Sequence, residues 1–332
     1  MGRRIAMYFA WDRIAEIVAP LGELDNRFPA LFEVRRLFWP GYETLAHAPG
    51  GQGIDGFLET IFLQNFARFG EEVAALTGRP LRQIQRRTAE GEMPLDGALM
   101  DEIDTLIIIS FDSQRTGQAA TEAEISAARA FLSRPDAMLF VCPHHDVGDT
   151  EGLAPEAVRQ RQVAEYCHHG DIALPGQQRF GGFGLSLMAG LGAPIRNRFG
   201  LRPARADDGD PAPFTQVAED RFGILAGVPH LNLHPHLPHY ERVGAGADAL
   251  EVLARQTVQL QAPAHPVVAP GGTFDAILQT RPLRRNSMEF DRRRAPRAAG
   301  VLEECDRSLT VTQPINDQSG CIENSANDTR KY

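Results

Sequence analysis

The stretch from Asp104 to Val147 constrains the fold more than any other part of the chain. Thr105 to Phe111 (TLIIISF) is dominated by β-branched and apolar residues, which suits a strand covered on both faces. Thr121 and Glu124 form a T-x-x-E capping box that opens a helix through Leu132. Ala137 to Cys142 (AMLFVC) is the next buried strand. Strand, helix and strand in immediate succession make a βαβ unit, and such crossovers are parallel and nearly always right-handed. A chain of 332 residues built around that unit is expected to be an α/β protein with a doubly wound, largely parallel sheet flanked by helices.

The flanking segments extend the pattern. Arg4 to Ala10 (RIAMYFA) is apolar enough to be another doubly covered strand. The apolar run ends at Asp12 and Arg13, too soon for a signal peptide, so it is expected to open the sheet. A helix is expected around 28–45. Between Ile54 and Thr77, Phe57, Phe62, Phe66, Phe69 and Val73 recur at helical spacing until Gly78 and Pro80 stop the helix; core packing explains that stripe. Farther on, Pro155 begins a helix reaching Tyr166, and Phe183 to Leu191 is a short apolar helix behind a glycine-rich turn. Short strands are expected at 222–226, 257–261 and 274–279. Residues 1–281 read as one α/β domain with an irregular histidine-rich insertion around 143–245. Residues 282–332 are first basic and then polar, with too little apolar area to offset the entropy of ordering them, and read as a peripheral tail.

Composition narrows the function classes. Hydrophobic residues at 43% and charged residues at 23% are ordinary for a globular protein. A net charge of -9 argues against a protein that grips nucleic acid. The basic stretch from Arg281 to Arg297 lacks interleaved aromatics and reads as a solvated segment. No apolar run reaches the roughly eighteen residues that span a bilayer, so no membrane association is expected. Cys142, Cys167, Cys305 and Cys321 lack C-x-x-C spacing and are expected as thiols in a reducing, cytoplasmic setting.

The histidines are the strongest anomaly. Eight of the ten lie between His144 and His239, beside carboxylates in CPHHDVGD, YCHHGD and PHLNLHPHLPHYE. Neutral imidazole with carboxylate is the donor set that zinc, manganese, iron or nickel accepts. The proposed ligands of such a divalent ion are His144, His145, Asp146, His234 and His236. No HExxH signature supports them, and a proline-punctuated surface loop is the competing account. In a doubly wound sheet ligands bind at the carboxyl ends of the strands, and Asp112 and the 144–146 run both follow strand ends. Asp112 and Arg115 are therefore expected to contact a small-molecule substrate. Arg179, Gly181 and Gly182 precede an apolar helix and are candidate anion contacts, although close packing explains glycines there equally well.

Cys142 ends a strand, and His239-Tyr240-Glu241 follows much later, so a nucleophile, a base and an orienting carboxylate are all present. In these residues the chain remotely resembles the class I glutamine amidotransferase-like superfamily, whose members have a flavodoxin-like sheet, a cysteine directly after a strand and a later H-x-E pair. The resemblance implies Cys142 as nucleophile, His239 as base and Glu241 as its partner, over the region from Thr105 to Glu241. It departs from the family at the elbow: in place of G-x-C-x-G the chain reads Phe140-Val141-Cys142-Pro143-His144, and proline restrains Cys142 to extended conformations. Three functions stay open: a His/Asp-lined, metal-assisted hydrolase; a thiol hydrolase or amidotransferase-like enzyme; and a non-catalytic binding or accessory protein.

Overall fold

The computed structural model describes residues 2–12, 14–15, 64–110, 112, 116–144, 154–157, 159, 181–201, 203–228, 230, 237–260, 268 and 271–281. The first half contains, in chain order, β1 (Ile5–Asp12), α1 (Gln64–Thr77), β2 (Arg82–Thr88), β3 (Gly91–Glu92), α2 (Gly97–Asp101), β4 (Thr105–Ser110), α3 (Glu122–Leu132) and β5 (Met138–Pro143), followed by α4 (Gly182–Gly190). Five strands make one sheet in the order β3-β2-β1-β4-β5. β1 runs parallel to β2 and β4, and β4 parallel to β5, while β3 is an antiparallel edge. The protein is thus of the α/β class, with a mostly parallel sheet.

Alternation along β1 decides which helix goes where. Ala6, Tyr8 and Ala10 point to one face, where they join Leu106, Ile108, Ile125, Phe131, Phe183 and Leu187 from β4, α3 and α4. Phe9 points to the other face and meets Phe66 of α1 edge-on, with ring centroids 5.1 Å apart. The chain leaves β1 in one direction to reach β2 and later passes over it in the other direction to reach β4. Right-handed crossovers in opposite directions place their helices on opposite faces, which is why α1 lies across the sheet from α3.

The capping box expected at Thr121 is present: Thr121 accepts from the Glu124 amide, and the Glu124 carboxylate accepts from the Thr121 amide. β2 escaped the sequence reading because RQIQRRT is polar. Only Ile84 and Arg86 of that strand are buried, both on the α3 side.

The second half is antiparallel. β6 (Ile195–Leu201) pairs with β8 (Leu237–Arg242), and β7 (Thr215–Gln216) with β9 (Leu250–Thr257), which pairs in turn with β10 (Thr273–Thr280); a short α5 (Gly246–Ala249) precedes β9. The strand expected at 274–279 falls inside β10. The one expected at 222–226 is a correction: both carboxylate oxygens of Asp220 accept amides, from Ile224 and Leu225, and that turn replaces a ladder. The one expected at 257–261 begins where β9 ends. Residues 155–157 and 159 are helical after Pro155; the expected helix at 28–45, the start of the one at 54–77 and the tail at 282–332 lie outside the described residues. Among the described residues no helix is long and apolar enough to cross a membrane.

Candidate functional site

At the carboxyl end of β4 the chain meets the start of α4. Gly181, the N-cap of α4, adopts φ 77° and carries no side chain that caps the helix. β4 supplies the missing acceptors. The Phe183 amide donates to Asp112 Oδ2 at 3.0 Å, the Gly184 amide to Ser110 Oγ at 2.8 Å and the Gly181 amide to the Asp112 carbonyl at 3.0 Å. The Ser110 hydroxyl donates to Asp112 Oδ1 at 2.6 Å. Asp112 is 0% exposed, and a buried carboxylate at a helix N-terminus is favoured by the helix dipole as well as by these bonds.

Asp112, Gly181 and Gly182, expected as substrate contacts, therefore sit together at the carboxyl edge. The amides that an anion would use are largely taken within the protein: those of Gly181 and Phe183 serve Asp112, and that of Gly184 serves Ser110 at the end of β4. Arg115 and Arg179 lie outside the described residues. Gly184 has a packing reason, since an added Cβ would lie 2.8 Å from Ser110 Cβ.

One strand over, the His144 amide donates to the Ser110 carbonyl at 2.8 Å, so His144 continues the β4 to β5 pairing to the same edge as Asp112. Val141 lies on the α4 side, where a Cβ on Gly184 would stand 3.1 Å from its Cγ1. The half-buried Cys142 alternates to the opposite face. His145, Asp146, His234 and His236 lie outside the described residues. Among the described residues no group of three His, Cys, Asp or Glu side chains is placed to hold a metal ion.

β8 reaches the tip of β5 through Tyr240, whose hydroxyl donates to the Pro143 carbonyl at 3.1 Å. His239 and Glu241 project from the other face of β8. There the His239 ring is 9% exposed and stands 6.3 Å from that of Phe274. Residue alternation thus directs the expected base away from the side of β8 that meets β5.

The ends of β1 and β2 hold charged residues that the sequence reading passed over. Arg87 donates to Asp12 Oδ2 at 3.0 Å and to Glu92 Oε1 at 3.2 Å, and Asp12 Oδ1 accepts the Ala15 amide at 3.0 Å. They line a concavity of about 320 Å³ with Ile14 and Thr88. The available signal was Asp12 itself, a carboxylate directly after an apolar strand.

Beneath this edge lies a buried ion pair. Arg86 donates to both oxygens of Glu124 and, at 3.0 Å, to the Tyr8 hydroxyl; its guanidinium lies 4.3 Å from the Phe183 ring centroid. Tyr8 donates in turn to the Met93 carbonyl at 2.7 Å, and Glu124 also accepts the Leu95 amide at 3.1 Å. Burial pushes the Glu124 carboxyl up, but hydrogen bonds from Arg86 and from the Thr121 and Leu95 amides outweigh it and hold the pKa below the ordinary value. Burial pushes the Tyr8 phenol up, so Tyr8 stays neutral. The pair ties β2, α3 and the start of α4 together under the carboxyl edge. No family model, curated protein or solved structure matches the chain with significance.

Proposed function

We propose that the chain is a hydrolase of small molecules whose reaction centre lies over the carboxyl edge of the parallel sheet. The parallel strands run β2-β1-β4-β5, the order in which a flavodoxin-like sheet begins, and the order in which strands are added reverses between β1 and β4. Open α/β sheets bind ligands in the crevice at that reversal, beyond the strand ends. Asp112 and His144 end there, and Asp12 with Arg87 stands one strand away. The observation that carries the reading is the Tyr240 to Pro143 bond, because it brings the chain that follows His234 and His236 to the residue preceding His144.

In this reading His144, His145, Asp146, His234 and His236 hold a divalent ion, whose contribution is Lewis acidity toward water near neutral pH. Asp112 holds α4 against β4, and its carboxylate has no need of a metal partner. The alternative thiol chemistry of the amidotransferase-like kind requires the His239 ring to reach Cys142, which lies on β5 beyond the other face of β8. A non-catalytic binding role needs the crevice alone.

Metal analysis of the purified full chain separates these readings. A stoichiometric divalent metal that disappears in the His144→Ala, His145→Ala double variant is the expected result, with no loss in Cys142→Ser. A metal-free protein, or a metal retained by the double variant, removes the metal-assisted reading. Alkylation of Cys142 by iodoacetamide well below its ordinary pKa of about 8.5 would instead favour the thiol reading.

A further inference from the structure

Among the described residues β5 is the last strand of the parallel sheet, and its outer side is open where the opposite edge is blunted. That opposite edge, β3, has two exposed residues, one of them Glu92. Shortness, charge, proline or a bulge commonly protects a sheet edge. β5 (MLFVCP) has six residues, no charged side chain and an unbroken register against β4. Met138 to Cys142 are half-buried, whereas β4 is buried throughout. Hydrogen bonding alternates along a strand, so every second residue faces its neighbour. The Met138 amide donates to the Asp104 carbonyl at 3.0 Å and the His144 amide to the Ser110 carbonyl at 2.8 Å, so the even-numbered residues face β4. The N-H and C=O groups of Leu139 and Val141 therefore point outward, and they have no partner among the described residues. The next outward positions on either side are closed. The Ala137 amide donates to the Arg134 carbonyl at 3.3 Å, Pro143 has no N-H, and its carbonyl accepts from Tyr240. The open stretch is thus centred on Phe140.

We propose that two copies of the chain join edge to edge, with β5 antiparallel to the same strand of the partner about a two-fold axis at Phe140. In that register Leu139 of each protomer lies opposite the partner's Val141 as a hydrogen-bonded pair, exchanging both N-H to O=C bonds. Phe140 meets the partner's Phe140 at the axis as the non-hydrogen-bonded pair. Both outward residues left open in the single chain are then satisfied, and strand addition of this kind needs no groove. Charge favours a second copy as the occupant. The paired strands carry no charges to repel one another, and beyond their ends the axis brings the turn at Asp136 toward the partner's His144, an acid opposite a base. The joint does not depend on the reaction assigned to the carboxyl edge.

Sedimentation of the full chain at low and high protein concentration tests the assembly. A mass that doubles as concentration rises is expected, and a monomer at every concentration overturns the proposal. Leu139→Pro removes one outward N-H and leaves the bonds to β4 in place, because proline is tolerated where a strand's N-H points away from the sheet. That variant is expected to stay monomeric, and a folded Leu139→Pro that still doubles in mass overturns the proposal. A second variant decides the matter should Leu139→Pro fail to fold. The Cα atoms of the central pair would lie about 4.5 Å apart, within disulfide range. Phe140→Cys in a Cys142→Ser background is therefore expected to form an interchain disulfide on mild oxidation, with peptide mapping joining position 140 of one copy to position 140 of the other. Leu132→Cys, on the exposed side of α3, is the control and is expected not to link. No link at position 140, or equal linking in Leu132→Cys, overturns the proposal.

Discussion

The amide of Phe183 donates to the carboxylate of Asp112 at 3.0 Å, joining the first turn of α4 to the end of a strand 71 residues earlier. Asp112 also accepts from Ser110, so both of its oxygens are engaged. Asp112→Asn keeps the volume but puts an N-H group where one of those donors points. A loss of about 1–3 kcal/mol in urea unfolding is expected, with hydrogen exchange accelerating first in α4. Unchanged stability would mean that the α4 cap is not supplied by Asp112.

The Arg86 and Glu124 pair should respond in the manner of a buried charge pair. Arg86→Met leaves the Glu124 carboxylate buried without its cation, and a loss of about 3–5 kcal/mol is expected. Glu124→Gln removes the uncompensated charge but keeps a single acceptor oxygen, which serves either the Thr121 or the Leu95 amide and not both, so the double variant Arg86→Met, Glu124→Gln should recover part of that loss. Equilibrium denaturation of the three variants gives the coupling directly.

The same carboxylate predicts the acid limb of stability. Its folded pKa lies below the ordinary value, so its contribution is fully present above an unfolded pKa of about 4.3 and is lost as pH falls through the folded value. Unfolding free energy should therefore fall on acidification below about pH 5, and less steeply in Glu124→Gln. Parallel slopes for the two proteins would show that another carboxylate governs acid unfolding.

The elements that were legible in the sequence are the ones whose apolar runs are long enough to cover both sides of a strand. β1, β4 and β5 belong to this group, and the Thr121 box marked the start of α3. β2 was not legible, because a strand near the sheet edge fully buries only Ile84 and Arg86 and leaves its other, polar residues exposed or half-buried. The antiparallel strands after α4 were mostly hidden for a related reason: β9 (LEVLARQT) and β10 (TFDAILQT) mix polar and charged residues among their apolar ones, and β7 has only two residues. Within the site, strand ends pointed to Asp112 and His144. That Asp112 serves α4 could not be read, since it depends on chain brought from Gly181 to Gly184. Glu124 was legible as a capping residue, but its second role, binding Arg86, requires β2 and α3 to be neighbours. The period of β8 separates His239 from Tyr240, and an H-x-E match along the sequence carries no information about which face meets β5.

The closest approach of α4 to the sheet gives a prediction whose sign runs against helix propensity. Gly184 is buried within α4, and an added Cβ would stand 2.8 Å from Ser110 Cβ, 2.9 Å from Ser110 Oγ and 3.1 Å from Val141 Cγ1. In an open helix position Gly to Ala is worth about 1 kcal/mol in favour of folding. Here the new methyl strikes the same Ser110 whose hydroxyl accepts the Gly184 amide and donates to Asp112, so relief by a shift of α4 stretches the bonds at its N-terminus. Gly184→Ala is expected to destabilise by about 1–3 kcal/mol through overpacking. Gly97 of α2 supplies the control, because a Cβ there meets nothing within 4 Å; Gly97→Ala should stabilise by about 0.4–1 kcal/mol. Chemical denaturation of both variants decides the matter: a stabilised Gly184→Ala would mean that α4 is not held against Ser110 and Val141 as closely as these distances require.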